Sequence, residues 1–143
     1  MGEIQTSERL PGAVYSTKQI SLATFLGSPL AGCWFLSLNY RRFNQPRNAL
    51  FSIIGGVLST IGLLATTLIL PPWFPNIILP VACALAMRGI AEGLQGNLLA
   101  DHAGAGGRIA SWWIVVGISL LIVGILFGIL FGALWLFPNL IPA

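Results

Sequence analysis

Charge is what this sequence has least of. Only 8% of its 143 residues are charged, with seven Lys or Arg, four Asp or Glu, one histidine and two cysteines. A water-soluble domain carries about a quarter charged residues, so a chain this poor in charge cannot keep its exterior in water. One histidine and two cysteines supply no set with metal-ligand spacing. Asp101 beside His102 is a neighbour pair rather than a catalytic dyad. Ser28 follows Gly27 with no histidine in the same stretch to activate it. The glycine run at 104–107 lacks both the lysine and the preceding strand of a phosphate loop. A net charge of +3, with no basic run interleaved with aromatics, argues against nucleic acid as a partner. The expectation is a non-enzymatic protein with no cofactor and no metal.

What the chain has is apolar length. Hydrophobic residues make up 56% and the mean hydropathy is +0.87. They gather into four stretches of about 20 residues, the length that crosses a bilayer: 20–40, 49–70, 74–94 and 112–137. A backbone in hydrocarbon must satisfy its own hydrogen bonds, so each stretch is predicted helical. The short alternating strands of a membrane barrel are absent. The predicted class is all-α, a polytopic membrane protein with four transmembrane helices in a small bundle. A polar segment, 1–19, precedes the bundle and a tail, 138–143, follows it. Lipid is the first expected partner.

Local signals mark the ends. Ser16 with Gln19 three residues on has the form of a capping box, and "NYRRFNQPRN" stops the first span and starts the second. "PPWFPN" is an uncharged connector that cannot continue a helix. Pro29 lies mid-span and predicts a kink. Ser111 is a candidate N-cap for the last span, with the glycine run as a flexible turn before it and His102 as a solvated loop residue.

Arg41, Arg42 and Arg47 lie between spans one and two, whereas the connector between two and three is uncharged. The positive-inside rule makes the arginine loop cytoplasmic. With four crossings both termini are then expected on the periplasmic side, and Arg88 and Arg108 fall inside with the 95–111 loop. Lys18 is discordant, while Glu3 and Glu8 offset Arg9. Tyr40, Trp112 and Trp113 read as inner-interface anchors, and Trp73, Trp135 and Phe137 as outer ones. Residues 30–33, "LAGC", have the form of a lipobox, but an apolar and then basic continuation points instead to an internal cysteine. Cys33 and Cys83 read as small packing residues.

Arg88, Glu92 and Gln95 form a polar intramembrane cluster, spaced i, i+4 and i+7 on one helix face. One reading is a snorkelling arginine beside its carboxylate partner. The other is a face turned toward the bundle, a partner subunit or an aqueous vestibule. Side chains lean toward a helix N-terminus, away from the cytoplasmic end here, and Arg before Glu is the weaker order for an intrahelical pair. Gly89, Gly93 and Gly96 lie beside the cluster and permit close approach of another helix.

Small residues recur at helical spacing in Gly117, Gly124, Gly128 and Gly132, in Ser52, Gly56 and Thr60, and in Ala23, Gly27 and Ala31. Helices in lipid associate through such ridges. The ridges serve either the bundle itself or assembly with other chains.

The run "YSTKQISLATFLGSPLAG", then "NYR", "LQG" and "GGRIASWW", resembles recurrent features of small, uncharacterised bacterial inner-membrane proteins over most of the chain. That resemblance implies a bacterial inner membrane and carries no activity. The expected function is an accessory or scaffolding subunit that forms a homo-oligomer or joins a larger membrane complex. The alternative is a small transporter or channel component with a polar path at Arg88, Glu92 and Gln95.

Overall fold

The apolar stretches fold into four α-helices in a computed structural model that describes residues 12–137: α1 (Thr17–Arg42), α2 (Pro46–Ile69), α3 (Ile78–Gly104) and α4 (Trp112–Leu136). The chain is an all-α integral membrane protein, each helix being long and apolar enough to cross a bilayer. The tail 138–143 and Glu3, Glu8 and Arg9 lie outside the described residues.

Short-range chemistry sets the helix ends. Ser16 and Gln19 close the capping box, the Ser16 hydroxyl accepting from the Gln19 N–H and the Gln19 amide from the Ser16 N–H. α1 and α3 stop alike. After α1, the N–H of Gln45 reaches the Tyr40 carbonyl and that of Asn44 the Arg41 carbonyl, with Asn44 left-handed at φ 56°. After α3, Gly107 reaches His102 and Gly106 reaches Ala103, with Gly106 at φ 76°. These paired bonds satisfy carbonyls that a helix end would otherwise orphan. The glycine run is therefore a helix stop, not a flexible turn. The third helix also runs ten residues past the expected position 94, placing His102 on its last turn rather than in a loop. Gly93, Gly96 and Asn97 weaken helix propensity there, and the packing of Gln95 overrides them. Ser111 occupies the N-cap of α4, but its side chain makes no capping bond.

The largest departure from expectation is in α1, which is bent back on itself. On a straight helix Tyr15 and Asn39 would stand about 36 Å apart. Instead the Asn39 amide grips both backbone groups of Tyr15, accepting from its N–H at 2.8 Å and donating to its carbonyl at 2.8 Å. The Tyr15 ring meets Phe35 at 4.6 Å between centroids, and Gly32 lies directly against Thr24. The reversal occurs at Ser28, at φ 85° and ψ 167°, a conformation that costs a non-glycine residue about 1–3 kcal/mol. Pro29 then opens the returning arm at a position where its missing N–H matters little. α1 is thus two arms, 17–27 and 29–42, and Ser28–Pro29 is a turn where the sequence suggests a kink.

The turn frees a backbone donor, and α2 receives it. Thr60 Oγ1 accepts the Leu30 N–H at 3.1 Å while donating to its own helix at the Gly56 carbonyl, 2.8 Å away. In hydrocarbon an N–H without a partner is costly, so Thr60→Val should destabilise the protein by about 1–2 kcal/mol, with Thr60→Ser restoring most of the loss in thermal melting. Equal melting of Val and Ser variants would show that the bond is immaterial.

α1 is the common partner of the other three helices, which have little contact with one another. Its position explains its composition. Gln19, Thr24, Ser37 and Asn39 are all buried on α1, whereas α4, the most apolar helix, is the least covered. Lipid demands apolar side chains and protein neighbours do not. Close approaches fix the packing: a Cβ at Gly27 would stand 2.8 Å from the Ser119 carbonyl on α4, and one at Gly56 would stand 2.6 Å from Cys33 Cβ.

The hairpin corrects the placement of the segment before α1. Residues 12–16 lie beside the end of α1, not a bilayer away from it. Arg42 sits over the Tyr15 ring at 5.3 Å. Val14 bridges the loop before α4, donating to the Arg108 carbonyl at 3.0 Å and accepting from Ala110 at 2.9 Å. Lys18, at the start of the first arm, therefore shares an end of the molecule with Arg41, Arg42 and Arg108. Tyr40 is buried in the core, so it is no interfacial anchor, whereas Trp73, Trp113 and Trp135 are widely exposed.

Candidate functional site

Two polar features remain once the apolar packing is accounted for, one sealed and one open. The sealed one lies at the arginine-bearing end, where three side-chain amides with no exposed surface, Gln19, Asn39 and Gln95, tie together four segments. Gln95 on α3 donates to the Leu36 carbonyl and accepts from Asn39, both at 3.0 Å. Asn39 holds Tyr15 as described, and Gln19 donates to the Ala110 carbonyl at 2.6 Å. Amides carry donors and acceptors on one planar group and no charge, so they can close such a network without the penalty of burying an ion. Its members satisfy one another, which makes it a structural clasp. Gln19 stood out in the sequence only as a cap, and Asn39 and Tyr15 did not stand out as site residues. The usable signal was a pair of amides, Gln19 and Asn39, at the two ends of one apolar stretch.

The open feature is Arg88 with Glu92. Arg88 Nε donates to Glu92 Oε1 at 2.8 Å, and the two side chains are 46% and 49% exposed. The structure thus divides the expected cluster. Gln95 turns into the core, whereas Arg88 and Glu92 look outward along the flank of α3, beside a cavity of about 280 Å³ that Glu92 lines with Ser16 and His102. His102 packs edge-on to Phe43 at 6.3 Å, and its Nε2 is buried with no partner among the described residues.

The small-residue ridges divide too. Gly56 and Thr60 face α1 at Cys33 and Leu30, and Ala23, Gly27 and Ala31 are buried on α1 itself, with Gly27 against Ser119 of α4, while Ser52 bonds its own helix at the Asn48 carbonyl. Gly117, Gly124, Gly128 and Gly132 meet nothing within 4 Å of an added Cβ. α4 docks through Val115 and Ser119 in its first half, and its glycine ridge is turned away from the protein. A larger cleft of about 460 Å³ opens between α1, α2 and α3, edged by Cys33, Ser52, Ser59, Cys83 and Met87. Both cysteines are free. Among the described residues no three His, Cys, Asp or Glu side chains gather as a metal would require. Arg41 and Arg47 are exposed at the clasp end, and Arg42 is half-buried over Tyr15.

Comparison with protein-family models, with curated proteins and with solved structures finds no match to this chain.

Proposed function

We propose that this chain is a non-enzymatic subunit of a bacterial inner membrane that assembles with itself or with a larger membrane complex. One observation carries the reading: a single protomer covers α1 and leaves α2, α3 and α4 largely bare, with an ion pair and a glycine ridge among the bare surface. A mild-detergent purification followed by mass spectrometry tests it. A self-assembly or a partner at fixed stoichiometry supports the reading, and a protein that is always alone opposes it.

In this reading α2, α3 and α4 cross the bilayer, and α1 enters and returns from the cytoplasmic side. The arm 17–27 is about 16 Å long, so its tip reaches mid-bilayer. Every described cation except Arg88 then sits on one side: Lys18, Arg41, Arg42, Arg47 and Arg108. The opposite connector, 70–77, has none, in accord with the positive-inside rule. Single cysteines at Lys18 and Asn48, in a Cys33→Ala/Cys83→Ala background, should label from the same side of the membrane and one at Trp73 from the other. Opposite labelling of Lys18 and Asn48 would refute the returning hairpin.

The second reading, a transporter component, draws on the hydroxyl-bearing cleft between α1, α2 and α3. Proteoliposome flux that falls in Arg88→Leu would establish it. Within one protomer Gln95 is sealed from Arg88 and Glu92, so a polar path would need several copies around it.

A further inference from the structure

We infer that the bare flank of α3 is a contact between two copies of this chain, in which Arg88 and Glu92 of each protomer pair with Glu92 and Arg88 of the other. The inference rests on the assembly reading above and assigns its surface.

Depth makes the pair need a cover. Met87, next to Arg88, packs beside Thr24 and Gly32, and Thr24 is six residues, about 9 Å, from Lys18 at the cytoplasmic start of the first arm, so Arg88 stands within the hydrocarbon, about 10 Å from its cytoplasmic face. Charges at that level face a protein partner or water in preference to lipid.

Valence says what the cover is. The bond from Arg88 Nε to Glu92 Oε1 is the one hydrogen bond that either side chain makes among the described residues. A guanidinium has five N–H donors and a carboxylate accepts several bonds, so the two half-exposed side chains present further donors and acceptors outward, one turn apart. A partner of a single sign would answer half of them. A second copy, related by a two-fold axis along the membrane normal, brings a carboxylate to each arginine and an arginine to each carboxylate, as an isologous contact requires.

The backbone permits the approach. Gly89, Gly93 and Gly96 flank the pair, and a Cβ on any of them would meet nothing within 4 Å. Two α3 helices can therefore close to the short distance at which the paired side chains cross between them.

The test uses two variants with opposite defects. Arg88→Glu makes the face acidic, and Glu92→Arg makes it basic. Native mass spectrometry of the full chain in mild detergent should show a dimer for the wild type and at least a tenfold loss of dimer for each variant alone. Co-expressed with different tags, the two variants should form a heterodimer. That rescue cannot come from the intrahelical pair, which is broken in both. A Cβ at Gly93 meets nothing within 4 Å in the protomer, so Gly93→Leu should give a folded, helical monomer, which keeps the test decisive if the charge variants fail to accumulate. A wild-type dimer indifferent to Gly93→Leu and to both charge changes overturns the assigned face, and Gly128→Leu then asks whether the α4 ridge carries the contact. Two monomeric variants without heterodimer rescue overturn the charge exchange. A monomeric wild type overturns the inference outright, while the partner purification decides the assembly reading separately.

Discussion

An Asn39→Leu variant is expected to release residues 12–16 from the end of α1 and to lose about 3 kcal/mol or more of stability. Leucine fills nearly the same volume, so little packing is removed. What goes is hydrogen bonding: the N–H and carbonyl of Tyr15 and the Gln95 amide oxygen each lose a partner at a site with no exposed surface on Asn39 or Gln95. A buried polar group left unpaired costs about 1–3 kcal/mol. The cheapest relief is for Tyr15 to swing out to water, carrying the Val14 bridge and the Arg42 contact with it. Thermal melting in detergent reads the stability loss, and hydrogen exchange at the Tyr15 amide reads the release. An exchange rate at Tyr15 equal to that of the wild type would show that something other than Asn39 fastens this segment.

Gly32→Val should be nearly as damaging, through sterics alone. A Cβ at this position runs into Thr24 Oγ1 on the opposing arm and stands 3.2 Å from two atoms of Met87. Thr24 cannot turn aside freely, because its hydroxyl donates to the Ile20 carbonyl at 3.0 Å. The arms of α1 must part, at the expense of contacts on both sides, for a loss of about 3 kcal/mol. Adding Thr24→Ala removes the obstructing oxygen and should recover a substantial part of the melting temperature. Strict additivity of the two substitutions would mean that the arms do not touch there.

The helices were legible in the sequence because hydrocarbon enforces apolar length and leaves little else to read. α2 and α4 begin and end within a few residues of the expected places. The capping box at Ser16 and the stop after Arg42 were equally local and equally clear. The hairpin was not. A straight span and two shorter antiparallel arms present lipid and neighbours with much the same run of apolar residues, and a proline inside such a run ordinarily signals a kink. Lys18 held a clue, since a returning α1 brings it to the same end of the molecule as Arg41, Arg42 and Arg108. The split of Arg88 and Glu92 from Gln95 was hidden for a different reason. A shared helix face is broad, and only the position of α1 decides which part of it is covered.

The clasp also constrains how the molecule is made. Gln19 and its acceptor at Ala110 are 91 residues apart, so at about 5–20 residues per second the acceptor leaves the ribosome roughly 5–20 s after the donor. Gln95, which holds Asn39, also emerges late. During that interval the first segment synthesised carries two of the clasp amides, Gln19 and Asn39, with no permanent home for them. Its early arms must wait at the membrane surface or beside the insertion machinery, and stable housing begins only when the last helices arrive.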